Sequence, residues 1–296
     1  MELAALAEKL KKSPPKRVAV AAAHGGETLK AVAEAHKLGI AFPVLCGDIE
    51  KIDEIARGQN LDISPFEIIE TDSDTQSAAV AVSLVKSGRA DILMKGHLHT
   101  ADLMRAVLNR ENGLRAGGTL SHVAVMYSPG QNKTWILTDG AMVMYPDLEK
   151  KAQLIRNAVA AANSLGIENP KVAPIAGVET VNPNMQATLD AAALCEMNMR
   201  GQIQNCVVDG PLAFDLAVSP DAAKRKGVSS PAAGCADILL FHNIEAGNST
   251  GKAMTHIGGC VMGGVIMGAL APVALVSRSD SFVSKLYSIA VAAAVK

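Results

Sequence analysis

An uncharged, glycine-rich segment near the C-terminus, residues 257–277, most constrains what this chain can fold into. Its length and GxxxG spacings are those of a transmembrane helix, but glycines and Pro272 interrupt it. We therefore interpret it as a glycine-rich connection followed by a buried parallel strand, Pro272–Val276. Because Ser277-Arg278-Ser279-Asp280 follows at once, the strand is predicted to end at a polar cleft.

The first third of the chain alternates short apolar segments with helical patterns. The predicted strands are Val18–Ala23, Phe42–Leu45, Phe66–Glu70 and Asp91–Met94, and the predicted helices are Glu27–Leu38, Asp48–Arg57 and Asp74–Ser87. Strands separated by single helices predict right-handed βαβ crossovers and a parallel sheet.

From His122 the rhythm changes, since Val123–Met126 and Trp135–Thr138 are separated by a turn too short to contain a helix. This spacing predicts an antiparallel pair that opens a second domain. The later predicted elements are helices Asp147–Ser164 and Met185–Met197, strands Val172–Ile175, Cys206–Asp209 and Asp237–Phe241, and an amphipathic closing helix Phe282–Val295.

The first domain lacks a last element near Thr119, and the final strand and helix can supply one. We therefore predict an α/β protein with a discontinuous first domain, residues 1–119 plus 269–296, and a second domain, residues 120–268. In open α/β sheets, ligands bind beyond the carboxyl ends of strands, often where two domains meet.

Composition excludes several classes of protein. A net charge of −1 and an aromatic content of 3% argue against nucleic-acid binding. The five cysteines are scattered without CxxC spacing, which predicts reduced thiols rather than disulfides or structural zinc. The N-terminal charges do not follow the order of a secretory signal, so a cytoplasmic location without a membrane span is expected.

The sequence does not match the common motifs for phosphate, dinucleotide or metal binding. Residues 247–252, GNSTGK, have three residues between the glycines and Ala253 after the lysine, unlike a phosphate-binding P-loop, and no GxGxxG follows the first strand. His97 and His99 could recruit a metal, but no third ligand is evident, and a pair of hydrogen-bonding histidines is the alternative. No metal site is predicted.

Residues that directly follow predicted strands are the candidates for ligand binding. The substrate-binding candidates are Lys95, His97, His99, Thr100, Thr180, Asn182 and Asp209. Arg105 and Arg278 follow different strands, and two guanidinium groups from separate strand ends suit the geometry of a small anion such as phosphate. The structural alternative for Arg105 is a helix-surface ion pair with Asp102.

Several extended blocks of the sequence resemble the phosphate acetyltransferase and phosphate butyryltransferase family, in the same order along nearly the whole chain. These blocks are LMKGHLHTADLMRAVLNRENGLRAGGTLSHV (93–123), GVETVNPNMQATLDAAALC (177–195), DGPLAFDLAVSP (209–220), SPAAGCADILLFHNIEAGN (230–248) and ALVSRSDS (274–281). VETVNP and KGHLHT are more similar to the butyryl-type branch than to the acetyl-type branch.

The resemblance implies two α/β domains with mainly parallel sheets facing across a cleft, as in isocitrate and isopropylmalate dehydrogenases. It implies reversible acyl transfer between coenzyme A and inorganic phosphate, as in a phosphate butyryltransferase. It implies that acyl-CoA and phosphate are the ligands. It also implies that the protein is a homo-oligomer, such as a dimer. No cofactor is implied, since coenzyme A is a substrate.

The resemblance also implies roles for particular residues. Ser277 and Arg278 match the family's Ser-Arg pair beside the coenzyme A thiol and phosphate, and Arg105 matches the second arginine of the TADxxR segment. Acetyl-type members have an aspartate where this chain has Ser284, which leaves Asp280 as the candidate general base.

Three alternatives stay open at this stage. The chain could be a phosphate acetyltransferase, or a metal-dependent decarboxylating dehydrogenase of the same architecture, although neither a metal-binding carboxylate cluster nor a nicotinamide site is found. It could also be a non-catalytic acyl-CoA-binding protein. Retention of Ser277, Arg278 and Arg105 favours an enzyme.

Overall fold

A computed structural model describes residues 2–277 and 280–295 of the chain. The chain forms two compact units. Unit 1 comprises Met1–Gly118 with Val261–Lys296, and unit 2 comprises Thr119–Cys260. Both units contain strands and helices, so the α/β class predicted from the sequence is confirmed.

The first segment of unit 1 alternates strands with helices. Its elements are α1 (Leu3–Leu10), β1 (Lys16–Ala21), α2 (Gly26–Lys37), β2 (Ala41–Gly47), α3 (Ile49–Gly58), β3 (Glu67–Glu70), α4 (Asp74–Lys86), β4 (Ile92–Lys95) and α5 (Thr100–Val107). Strand β1 lies between β2 and β4, β3 pairs with β2, and all of these pairs are parallel. The predicted parallel sheet is confirmed.

Unit 2 opens with an antiparallel pair. Its elements are β5 (Ser121–Ser128), β6 (Lys133–Thr138), α6 (Leu148–Leu165), β7 (Lys171–Pro174), α7 (Gln186–Met199), β8 (Val207–Val208), α8 (Phe214–Val218), α9 (Pro220–Arg225), β9 (Ile238–Leu240) and α10 (Ile244–His256). Strands β5 and β6 are antiparallel as predicted, and β6, β9, β7 and β8 follow as parallel neighbours. The GNSTGK stretch lies within helix α10 and forms no phosphate loop.

The last segment returns to unit 1 as β10 (Val261–Met267), β11 (Val273–Ala274) and α11 (Phe282–Ala294). Strand β11 pairs in parallel with β4 and antiparallel with β10. The predicted parallel strand at 272–276 is therefore confirmed, although it is shorter than expected.

The glycine-rich stretch before Pro272 is not only a connection, because Val261–Met267 forms strand β10. Its Gly263 lies against helix α11, where an added Cβ would be 2.9 Å from Cδ1 of Tyr287. Glycine at this position permits close packing of a helix on a strand. The sequence pattern alone does not distinguish that role from a flexible loop.

Helix α11 is buried on nearly all sides, which corrects the prediction of an amphipathic helix. Every residue from Ser284 to Ala293 is buried, because strand β10 and helices α1 and α2 pack around it. The hydroxyl of Ser288 accepts a hydrogen bond from the Gly264 N–H at 2.9 Å and donates to the Ser284 carbonyl at 2.8 Å. Its polar side chains are thus satisfied inside the unit.

Within the described residues, we find no helix with the length and hydropathy needed to cross a membrane.

Replacing Gly263 with Ala is expected to destabilise unit 1, because the new methyl group would overlap Tyr287. Overpacking of this kind costs about 1–3 kcal/mol, which lowers Tm by about 2–10 °C in a protein of this size. Differential scanning calorimetry measures the change. Gly251→Ala is the matched control, since its Cβ would meet nothing nearer than Leu137 Cδ2 at 3.9 Å. An unchanged Tm for Gly263→Ala would contradict the close packing.

Candidate functional site

Three parallel strands of unit 1 end side by side. In the pairing register, Ala21 of β1 lies opposite Lys95 of β4, and Ala274 of β11 lies opposite Met94. The loops that follow these strands therefore leave the sheet at the same carboxyl edge, which is where ligands bind in open α/β folds. This edge brings together the predicted residues of segment 95–100 with Ser277 and Asp280.

Lys95 lies inside this edge rather than on its surface. The side chain is buried, with 1% of the residue exposed, and its Nζ donates to the Gly96 carbonyl at 3.4 Å. A Cβ on Gly96 would lie 2.2 Å from the Ala22 carbonyl oxygen, so only glycine allows the two strand ends to approach this closely. The predicted contact of Lys95 with substrate stays a prediction.

His97 has a different histidine neighbour from the one that the sequence suggests. It is exposed, and its ring centroid lies 5.8 Å from that of His24, in the loop that follows β1. His24 Nε2 lies 3.4 Å from Asp74 Oδ1, but burial lowers the pKa of His24 more than Asp74 raises it. His99 is exposed at the start of α5. The sequence analysis did not include His24 among the candidates, although its position after a strand was a usable signal.

In the parts of the chain that the structure describes, no three or more His, Cys, Asp or Glu side chains group as metal ligands.

Arg105 forms an ion pair with Asp102, which the sequence analysis gave as the alternative to ligand binding. Its Nη1 lies 2.7 Å from Asp102 Oδ1, and 70% of its side chain is exposed. An exposed pair of this kind contributes about 0–1 kcal/mol, so the guanidinium can exchange Asp102 for an anionic ligand at little cost. Thr100 is exposed in the first turn of the same helix. The role of Arg105 in catalysis stays a prediction.

The loop after β11 is closed by Asp280. Its Oδ2 accepts a hydrogen bond from the Ser277 N–H at 2.6 Å, and its own N–H donates to the Ser277 carbonyl at 3.2 Å. Arg278 and Ser279 lie outside the described residues, so the predicted phosphate contact of Arg278 has no structural description. The Asp280 carboxylate, proposed from the sequence as a general base, shapes the loop that contains Ser277.

Lys285 and Glu27 hold the same loop, and the sequence analysis identified neither. The Lys285 ammonium donates to the carbonyl of Ser277 at 2.8 Å and to that of Asp280 at 2.7 Å. Burial lowers the pKa of Lys285, and Asp280 and Glu27 partly offset that effect. Glu27 Oε2 accepts the N–H of Phe282 at 2.9 Å. A lone lysine in the otherwise uncharged helix α11 was the available signal.

The predicted residues of unit 2 follow strands β7 and β8. Thr180 is exposed, whereas the Asn182 N–H donates to Thr188 Oγ1 at 2.9 Å. Asp209 Oδ2 accepts hydrogen bonds from the Ser230 hydroxyl and, at 2.9 Å, from the Ala232 N–H. Asn182 and Asp209 therefore stabilise loops at the carboxyl edge of this sheet, and their contact with substrate stays a prediction.

A cluster of three ionisable side chains lies at that same edge and was missed by the sequence analysis. The ammonium of Lys151, whose side chain is 3% exposed, bonds to Asp190 Oδ2 and lies 2.8 Å from Nδ1 of His242. Gln186 donates to the other carboxylate oxygen of Asp190 at 2.8 Å. His242 directly follows the predicted strand Asp237–Phe241, which was a usable signal, but nothing in the sequence pairs it with a lysine on α6.

The five cysteines are free thiols, and three are buried. Burial raises the pKa of Cys46 to about 12 and the pKa values of Cys195 and Cys206 to about 11. Thiols with raised pKa values are protonated at neutral pH and are poor nucleophiles. The thiols of Cys46, Cys195 and Cys206 are therefore not good candidates for catalytic nucleophiles.

Comparison with known proteins shows which family this chain resembles along most of its length. The family described as "Phosphate acetyl/butaryl transferase" matches residues 73–293. The chain is 48% identical to phosphate butyryltransferase of Clostridium acetobutylicum, over 97% of this chain and 95% of the relative. It is 42% identical to phosphate acetyltransferase of Thermotoga maritima, over 94% of both chains.

A solved structure shows the same similarity in three dimensions. The crystal structure of a branched-chain phosphotransacylase from Enterococcus faecalis V583 matches with a TM-score of 0.82 and 34% identity, over 94% of this chain and 99% of the other. The chain therefore belongs to the phosphate acetyl/butaryl transferase family.

Proposed function

We propose that this protein transfers a short acyl group reversibly between coenzyme A and inorganic phosphate, and that it is a phosphate butyryltransferase. The observation that carries the proposal is the near-complete coverage of the phosphate butyryltransferase relative, which includes both strand-end segments of unit 1. The names of the relatives supply phosphate and a butyryl or acetyl group, and the family resemblance supplies coenzyme A as the acyl carrier. The loops of unit 1 supply groups that fit the chemistry.

In the direction that forms acyl phosphate, a phosphate oxygen attacks the carbonyl carbon of the thioester. A carbon–oxygen bond forms, the carbon–sulfur bond breaks, and the electron pair leaves on the coenzyme A sulfur. Arg278 and Arg105 would orient phosphate and offset the charge that develops on the carbonyl oxygen. Ser277 would hydrogen-bond the sulfur or that oxygen.

The geometry of the loop after β11 supports this assignment. The carbonyls of Ser277 and Asp280 are both bound by the Lys285 ammonium, and the Ser277 N–H is bound by Asp280. With its backbone N–H and carbonyl both bound, Ser277 needs little reorganisation to present its hydroxyl, as transition-state stabilisation requires. We propose that Asp280 acts mainly by closing this loop, while Lys95, His97, His99, Thr100, Thr180, Asn182 and Asp209 remain proposed substrate-binding residues.

Further properties follow from the proposed reaction and the resemblance. We propose that the two units act as the two domains of an isocitrate dehydrogenase-like architecture, in a cytoplasmic homo-oligomer. The reaction needs no redox cofactor, since acyl transfer changes no oxidation state, and we propose that it also needs no metal. A phosphate acetyltransferase is the second candidate, and the 42% identity to the Thermotoga maritima enzyme favours it.

Thiol release from acetyl-, propionyl- and butyryl-CoA, with and without phosphate, tests the proposed function. We expect phosphate-dependent release that survives exhaustive chelation with EDTA, and a higher kcat/KM for butyryl-CoA than for acetyl-CoA. Equal or better use of acetyl-CoA would identify a phosphate acetyltransferase instead. Binding of acyl-CoA without phosphate-dependent release would indicate a non-catalytic binding protein.

Replacement of Arg278 with Ala should lower kcat/KM for phosphate by about two orders of magnitude, because it removes a charge-assisted contact to the reacting anion. Arg278→Lys should rescue only part of this loss, since an ammonium lacks the paired donors of a guanidinium. Circular dichroism and Tm would establish that both variants fold. Near-wild-type kinetics in a folded Ala variant would show that the phosphate lies elsewhere.

Two substitutions of Asp280 separate loop closure from proton transfer. Asp280→Asn retains an oxygen that can accept the Ser277 N–H, whereas Asp280→Ala removes it. We expect Asp280→Ala to lose roughly tenfold or more in kcat/KM, about the value of one charge-assisted hydrogen bond, and Asp280→Asn to lose clearly less. Equal and severe losses in both variants would instead support a general base.

A further inference from the structure

His242 lies at the carboxyl edge of the unit 2 sheet, in a position that none of the proposed catalytic steps uses. It follows Phe241 just after β9, whose last residue, Leu240, pairs in register with Thr138 of β6 and with Pro174 of β7. Three parallel strands thus end beside it. This is the sheet edge at which α/β folds bind ligands.

The contact with Lys151 fixes which nitrogen of His242 carries the proton. A lysine ammonium has donors but no acceptor, so Nδ1 at 2.8 Å must accept, and the proton of the neutral ring lies on Nε2. Burial lowers the pKa of His242, the Lys151 charge lowers it further, and Asp190 partly opposes both. The imidazole is therefore neutral at pH 7, with a fixed N–H donor.

The Nε2–H of His242 is available to a ligand. About 37% of the side chain is exposed, and among residues 2–277 and 280–295 we find no hydrogen-bond partner for this nitrogen. The opposite charges of Lys151 and Asp190 offset each other, so the surroundings of this neutral donor have no net positive charge that would attract an anion. An uncharged donor suits an uncharged acceptor, such as a carbonyl oxygen.

His242, Lys151 and Asp190 also line a small cavity. Its volume is about 10 Å³, close to that of one water molecule. The apolar part of its lining is Pro174, Ile175, Ala187, Ala191, Leu194 and Phe241. A carbonyl oxygen can take the place of one water here, whereas a phosphate group would lose its strong hydration without a net positive charge to replace it.

We propose that His242 binds a carbonyl oxygen of acyl-CoA through Nε2–H, and that Lys151 and Asp190 are positioning residues that fix its tautomer. This inference rests on the proposed function for the identity of the ligand. Two kinds of carbonyl have the required chemistry: the acyl carbonyl at the reacting end, and the amide carbonyls of the pantetheine arm. The two sources are separated by ligands that contain only one of them.

Two isosteric substitutions separate the two nitrogens of the ring. Asn at position 242 can place an oxygen near the position of Nδ1 and accept from Lys151, but its NH₂ group then lies near the position of Cδ2 and leaves no donor at the position of Nε2. Gln at that position can place an N–H near the position of Nε2. We expect His242→Asn to fold normally and to lose roughly three- to tenfold in kcat/KM for butyryl-CoA, mostly through KM. His242→Gln should recover most of that loss.

Long-range ¹H–¹⁵N NMR of ¹⁵N-histidine-labelled protein tests the inference without turnover, with His242→Asn used to assign the signals. In phosphate-free buffer we expect the Nε2–H tautomer and a shift of its signals on addition of butyryl-CoA. Butyryl phosphate alone reproduces the shift if the acyl carbonyl is bound, and free coenzyme A reproduces it if pantetheine is bound.

The possible failures are distinguishable. Absence of phosphate-dependent thiol release from the wild-type enzyme defeats the proposed function, whatever the NMR shows. Wild-type kinetics in His242→Asn, an Nδ1–H tautomer, or His242 signals that do not move with butyryl-CoA would each overturn the role of His242 and leave the proposed function intact.

Discussion

The parallel pairing of β11 with β4 is the interaction on which the candidate site of unit 1 depends. The two strands are separated by more than 170 residues in the chain, yet Val273 and Ala274 lie in register with Leu93 and Met94. Only this pairing places the Ser277 loop and the His97 loop at one sheet edge. Helix α11 then packs against the strands, and its Lys285 fixes the loop that precedes it.

Much of the fold could be predicted from the sequence, because strand and helix periods are local properties. The alternation before Lys95, the antiparallel pair and the returning strand were all recoverable in this way. The predictions failed where tertiary packing decided the outcome. Strand β10 has a glycine at 263 where Tyr287 packs on it, and α11 is buried nearly all round because neighbouring elements cover it.

The candidate site was predictable only in part, for a related reason. Residues directly after strands can be identified one at a time, as were Thr100, Ser277 and Asp209. Partnerships across long separations cannot be read from a single sequence, and the bond from Lys151 to His242 spans 91 positions. The ion pair of Arg105 was foreseeable, because Asp102 lies one helical turn away.

The discontinuity of unit 1 has a consequence for synthesis on the ribosome. All of unit 2 emerges before Val261, so unit 2 can fold while β4 still has an unpaired edge where β11 will bind. Exposed strand edges are sites of unwanted pairing between chains. A nascent or prematurely terminated chain therefore exposes the unpaired edge of β4 and lacks the Ser277 loop. The candidate site of unit 1 is assembled only after β11 and this loop have been synthesised.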